Sequence, residues 1–277
     1  MVLKSNHFFV IFTMIFSWKR SVLSKNETTH TVFAPGITAS TKTAQKYAQA
    51  GAFVDDQYSG VIFKDQKKPK AILDKIIYKI AKKRGKALNR NKIVFGVGHD
   101  IVVLKKAIDK AKASNDANVN GVLFGTCRGA AAIINYLAKN DSTWVKGIVL
   151  DSAFSDPDVM IKNRIPAVIA KMFFPGFKKN AQTPLSAIKS IKNKNIKILM
   201  LFAKGNCAKG GKVKGDTITP FDQHTKRLYD EFKKQGFDVT LVGYNATHCA
   251  GIDTEEKDGD RTAYISAIQE WYKKNNF

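Results

Sequence analysis

A cysteine, an aspartate and a histidine, in that order along the chain, carry the chemistry this sequence offers. Cys127 is the middle of Gly125-Thr126-Cys127-Arg128-Gly129, Asp216 opens Asp216-Thr217-Ile218-Thr219-Pro220, and His248 lies in Asn245-Ala246-Thr247-His248-Cys249. A thiol beside an imidazole that a carboxylate holds in place can lose its proton and attack a carbonyl carbon. The flanks of Cys127 give the first support. Val122-Leu123-Phe124 is an apolar run too short for a helix, and Ala130 to Ala138 reads as a helix of small residues. Strand, Gly-x-nucleophile-x-Gly turn, helix is the pattern of a nucleophile elbow. Side chains at Gly125 and Gly129 would collide with the neighbouring strand and helix, and the nucleophile takes a strained backbone conformation. A helix beginning at Arg128 or Gly129 would favour a thiolate at its N-terminal end. The plainer reading of the same five residues is a buried cysteine in an ordinary strand–helix turn.

The remaining elements must bring the three residues together. His30 to Ala34 reads as a strand that turns at Pro35-Gly36 into a helix, Thr41 to Ala50. The turn would aim the amide of Ile37 at the site, as an oxyanion donor beside the amide of Arg128. Gly60 to Lys64 and Lys92 to Gly96 read as extended pieces, and Ala71 to Lys83 as an amphipathic helix. Asp100 is the expected N-cap of a helix from Ile101 to Ala113, with His99 in the loop before it. Strands are expected at Val145 to Leu150, Ile196 to Phe202 and Phe237 to Val242, with helices at Phe221 to Gln235 and Arg261 to Lys274. Residues 155–190 have an apolar middle, Ile165 to Phe177, placed where a short helical lid would be inserted; a core-packing helix is the alternative. Strands alternating with helices predict a mainly parallel sheet covered on both faces, one α/β domain over residues 29–277.

Residues 1–28 stand apart. Phe8 to Trp18 is an apolar stretch of signal-peptide length, and Val22-x-Ser24 would serve as a cleavage site. Lys19 and Arg20 oppose cleavage, so the segment reads as a signal peptide or a membrane anchor, and the protein as exported or membrane-associated, with a cytoplasmic location as the alternative. The net charge of +23 raises nucleic acid as a partner. But 39 Lys stand against 7 Arg, scattered without a block of five, and no nucleic-acid motif is present, so a solvated surface is the simpler reading. Three cysteines make no disulfide framework, and no CxxC or CxxH spacing exists, so no metal or cofactor is expected.

Over residues 30–275 the sequence resembles the α/β-hydrolase superfamily. The resemblance rests on the segments HTVFAPG, GTCRGAAA, IVLDSAF and GDTITP and on the order nucleophile, acid, histidine. It is nearest to esterase, acylaminopeptidase-like and dienelactone-hydrolase-like members, the last being the precedent for cysteine at the elbow. The resemblance implies an α/β-hydrolase fold and a Cys127–His248–Asp216 triad. It also implies hydrolysis of an ester, lactone or thioester of a small acyl substrate through a thioacyl-enzyme. Three departures stand out. Pro35-Gly36 replaces the usual His-Gly, Asn206 to Gly215 separates the acid from its strand, and cysteine replaces serine. The second leaves Asp151 and Asp222 as rival acids. A hydrolase-fold protein without catalysis, acting as a binding or membrane-associated module, and a peptidase of the same fold are the alternatives.

Overall fold

Seven consecutive buried residues, Asn120–Thr126, form the central strand β3. Continuous burial marks a strand covered on both faces rather than one with a wet side. Its alternate side chains serve two cores. Val122 and Phe124 pack on one face with Phe33, Val149, Leu199 and Leu201. Leu123 packs on the other with Val32, Ile148, Ile198 and Met200. The computed structural model describes residues 28–36, 41–53, 58–61, 63, 96–114, 119–162, 182–205, 215–253 and 261–277.

Among these residues the strands β1 (Thr29–Ala34), β2 (Tyr58–Gly60), β3, β4 (Val145–Asp151), β5 (Lys197–Ala203) and β6 (Asp238–Tyr244) make one sheet. Their order is β2-β1-β3-β4-β5-β6, and every pairing is parallel. The helices are α1 (Thr41–Gln49), α2 (His99–Ala113), α3 (Arg128–Lys139), α4 (Pro157–Lys162), α5 (Pro184–Ala187), α6 (Thr225–Lys234) and α7 (Arg261–Lys274). Leu104 and Ile108 of α2, Ala130 and Ile133 of α3 and Leu228 and Phe232 of α6 fill the first core. Tyr47 of α1 and Tyr264, Ile268 and Trp271 of α7 fill the second. Taking one such side chain out of water contributes about 1.5–3 kcal/mol.

The register brings the functional ends of the strands level. Ala34 pairs with Gly125, Thr126 with Asp151, Asp151 with Leu201, and Ala203 with Tyr244. The turns that follow these residues therefore share the C-terminal edge of the sheet, where parallel α/β folds place their sites.

Local structure departs from the sequence reading at three places. Asp100 is not an N-cap: α2 starts at His99 after Gly98, whose position makes no side-chain cap, and Asp100 is drawn inward to another partner. His99 is thus the first helical residue rather than a loop residue. The expected helix Phe221 to Gln235 is a 3-10 turn, Phe221–Gln223, followed by α6. The break is at His224, whose φ of −129° and ψ of −75° lie outside the helix because its side chain is held by Ser155. Ala71 to Lys83, Lys92 to Phe95 and the apolar middle of the lid-like segment lie outside the described residues, as do Ile37, Cys207 and the N-terminal leader. Among the described residues, no helix is long and apolar enough to cross a membrane.

Candidate active site

The elbow is built by two close approaches. A Cβ on Gly125 would lie 2.5 Å from the amide nitrogen of Ala130, and one on Gly129 would strike the carbonyl of Ala34. Only glycine lets α3 rise directly from β3 and pass against β1. Cys127 itself has φ 48° and ψ −106°, a conformation that costs a side-chain-bearing residue about 1–3 kcal/mol. Its amide donates to the Asp151 carbonyl at 2.8 Å, which fixes the turn to the end of β4.

Arg128, next in the chain, is 1% exposed and carries no charge into the site. Its guanidinium donates to both oxygens of Asp100, from Nε at 2.7 Å and from Nη2 at 2.6 Å, and lies 4.7 Å from the ring centre of Phe63. Asp100 also accepts from the Gly96 amide at 2.9 Å. This fork anchors the first residue of α3 from behind, so what Arg128 presents at the elbow is its backbone amide. Removing one member of such a pair leaves an uncompensated buried charge. Asp100→Ala is therefore expected to cost about 3–5 kcal/mol, read as a lowered denaturation midpoint, while Asp100→Leu combined with Arg128→Met should cost much less. A loss below about 1 kcal/mol for Asp100→Ala would show that the fork is not structural.

Asp216 returns to the sheet despite the insertion before it. Its amide donates to the Ala203 carbonyl at 3.3 Å, at the end of β5. One carboxylate oxygen accepts from the amides of Ile218 and Thr219, at 2.9 and 2.8 Å. The other accepts from the Thr219 hydroxyl at 2.6 Å and meets His248 Nδ1 at 2.7 Å. Burial by itself would raise Asp216, but these bonds outweigh it and hold the carboxyl below its usual range.

His248 follows β6. With Nδ1 engaged by Asp216, its other nitrogen is left free to serve the Cys127 thiol, with which the imidazole interacts electrostatically. Burial opposes the imidazolium, yet the Cys127 thiolate and Asp216 push its pKa well above that of a free histidine. The Cys127 thiol is pushed down in turn. The largest cause is a hydrogen bond from the Cys249 thiol, which together with His248 overcomes the burial of Cys127. Both shifts favour the thiolate–imidazolium form of the pair, and the His248 side chain is 14% exposed.

The two rival acids have other partners. Asp151 is fully buried and accepts from the hydroxyls of Tyr244 at 2.7 Å, Tyr264 at 2.9 Å and Ser152 at 3.1 Å. Burial raises its carboxyl to about 6 against those bonds. Asp222 is exposed in the 3-10 turn. Sequence reasoning gave no role to Ser152, Cys249 or His224, nor to the pairing of Asp100 with Arg128. The last had a signal: an arginine beginning a run of glycine and alanine must find an acid inside the fold. Among the described residues, no group of three or more His, Cys, Asp or Glu is placed to hold a metal.

No protein-family model and no curated protein matches the sequence. Solved structures do. An esterase of Pyrococcus furiosus superposes with a TM-score of 0.57 at 16% identity, over 90% of this chain and 84% of that one. A putative dienelactone hydrolase of Klebsiella pneumoniae gives 0.53 at 12%, over 91% and 89%. The acylaminoacyl peptidase of Pyrococcus horikoshii gives 0.58 at 12%, over 91% of this chain but 38% of the longer peptidase. The chain has the α/β-hydrolase fold. At such identities the likeness concerns the arrangement of the α/β-hydrolase sheet and helices, and the chemistry must be argued from the residues at its edge.

Proposed function

We propose that this chain is a hydrolase that cleaves a carboxylic ester, lactone or thioester through Cys127, His248 and Asp216. The observation that carries the reading is the 2.7 Å bond between Asp216 and His248 Nδ1, with the His248 imidazole interacting with Cys127 at the strained turn of the elbow. The Cys127 thiolate attacks the carbonyl carbon. The developing oxyanion takes a hydrogen bond from the Arg128 amide at the start of α3, with the Ile37 amide as the expected second donor; one such donor is worth about 2.7–4 kcal/mol. Collapse of the tetrahedral species expels the alcohol or thiol, which takes the proton from His248. Neutral His248, its tautomer fixed by Asp216, then draws a proton from water. Water adds to the thioester carbon, and the acid leaves as Cys127 regains its thiolate.

A thiolate leaves a tetrahedral intermediate more readily than an alkoxide or amide anion does. The chemistry therefore suits carbonyls with good leaving groups, such as lactones, aryl esters and thioesters. The structural neighbours include proteins named as an esterase and a dienelactone hydrolase, which is consistent with this class. A panel of aryl esters, thioesters, lactones and acylated peptides tests the reading, and hydrolysis of none of them sinks it.

The thiolate makes a second, activity-independent prediction. Cys127 is held below an ordinary thiol, whose pKa is about 8.5, so its anion persists as pH falls through and below that value. Iodoacetamide labelling of Cys127 should have its midpoint below that of a free thiol, and His248→Ala should move the midpoint upward. A midpoint at or above the free-thiol value excludes Cys127 as the activated nucleophile.

A further inference from the structure

The triad is complete with Asp216, His248 and Cys127, yet a second thiol touches the nucleophile. Cys249, the residue after His248, interacts through its side chain with Cys127, and both turns are tied by their amides to the end of β4, Cys127 to Asp151 and Cys249 to Ser152. Acyl transfer has no need of a thiol there. The backbone that puts it there is strained: Cys127, Ser152 and Cys249 have φ values of 48°, 50° and 54°. They form one cluster. The Cys127 amide binds the Asp151 carbonyl, and the Cys249 amide donates to Ser152 Oγ at 3.3 Å. Ser152 Oγ in turn donates to the Asp151 carboxylate at 3.1 Å. The end of β4 thus holds both cysteine turns side by side. Both are free thiols, Cys127 buried and Cys249 partly exposed.

We propose that Cys127 and Cys249 are a peroxide-responsive dithiol, in which oxidised Cys127 is captured by Cys249 as an intrachain disulfide that reversibly takes the nucleophile out of use. The thiolate of Cys127 attacks one oxygen of a peroxide. The O–O bond breaks, and the leaving alkoxide or hydroxide takes the proton of His248. Cys127 is oxidised by two electrons to a sulfenic acid, and the peroxide is reduced to alcohol or water. The Cys249 sulfur then attacks Cys127 Sγ. The S–S bond forms, the S–O bond breaks, and the expelled hydroxide carries off the Cys249 proton as water. A thiol reductant returns two electrons and restores both thiols. The dithiol rests on Cys127 being the thiolate of the triad, but its sulfur chemistry is read independently of any substrate.

The test uses the full chain carrying Cys207→Ser, treated with hydrogen peroxide and compared with the same protein carrying Cys249→Ala. The unsubstituted chain is treated alongside. Intact mass, non-reducing peptide mapping and iodoacetamide labelling of Cys127 are followed, with and without dithiothreitol. The chain with Cys249 should lose about 2 Da, yield a linked peptide pair containing Cys127 and Cys249, and recover labelling in dithiothreitol. The Cys249→Ala protein should instead gain about 32 Da as Cys127 sulfinic acid, with labelling lost for good. The proposal is overturned if Cys127 goes to the sulfinic acid equally in both proteins, if both thiols stay reduced, or if the linked pair in the unsubstituted chain contains Cys207. A linked 127–249 pair in a protein that hydrolyses no substrate on the panel would uphold the dithiol and sink the hydrolase reading alone.

Discussion

Cys127→Ala is expected to abolish hydrolysis, with turnover falling by roughly 10⁶ on every substrate the parent cleaves, as when the nucleophile of a triad is removed from other hydrolases. The loss is large because no other group can take over. On the proposed mechanism His248 and Asp216 activate a sulfur, and without it they can only position water. Alanine keeps the Cβ and the backbone, so the fold should survive, which an unchanged circular dichroism spectrum and melting temperature would check. Cys127→Ser sharpens the test. Its hydroxyl does not form the resting ion pair and must be deprotonated during attack, so activity should return only in part and with a pH profile moved upward. An alanine variant within tenfold of the parent would mean that the nucleophile lies elsewhere.

Asp216→Asn is expected to lower turnover by about 10⁴, the size of effect seen when an orienting carboxylate becomes an amide. The local bonds explain why. Both Thr219 and His248 meet the same oxygen of Asp216. An asparagine that keeps its carbonyl toward the Ile218 and Thr219 amides must turn its NH₂ toward Nδ1. That nitrogen then has to accept, and the other must carry the proton and cannot act as base. The imidazolium also loses its carboxylate, so the Cys127 thiolate fraction falls at the same pH. Asp151→Asn should behave differently: it disturbs Tyr244 and Tyr264 in the core, so it should cost stability more than turnover. If kinetics at matched folded fraction show Asp151→Asn to be the crippling change, the acid belongs to the end of β4.

The sheet was legible because burial on both faces leaves continuous apolar runs, such as Val122-Leu123-Phe124 and Ile198 to Leu201. The elbow was legible because two glycines at fixed spacing answer to two steric contacts. Asp216 could be picked from chain order, but its return to Ala203 after an insertion depends on a backbone bond that no pattern announces. The role of Asp100 was hidden by a local rule: an acid before a helix reads as a cap, and only the fold reveals a buried arginine competing for it. Cys249 was not singled out as a neighbour of Cys127, because sequence places it beside His248 without saying which way its sulfur faces.

The hydroxyl bonds around Asp151 set a condition on how the chain folds. Tyr244 is 93 residues from Asp151 and Tyr264 is 113, and Tyr264 meets Tyr47 across a separation of 217. A buried carboxylate gains nothing from one of these partners while water still competes for the rest. Its satisfaction therefore awaits the docking of α1, β6 and α7, drawn from both ends of the chain, onto the end of β4. Contacts of such span slow folding, and the assembly closes as a unit. Amide hydrogens along β4 should accordingly exchange only through global unfolding, while those of exposed turns exchange locally.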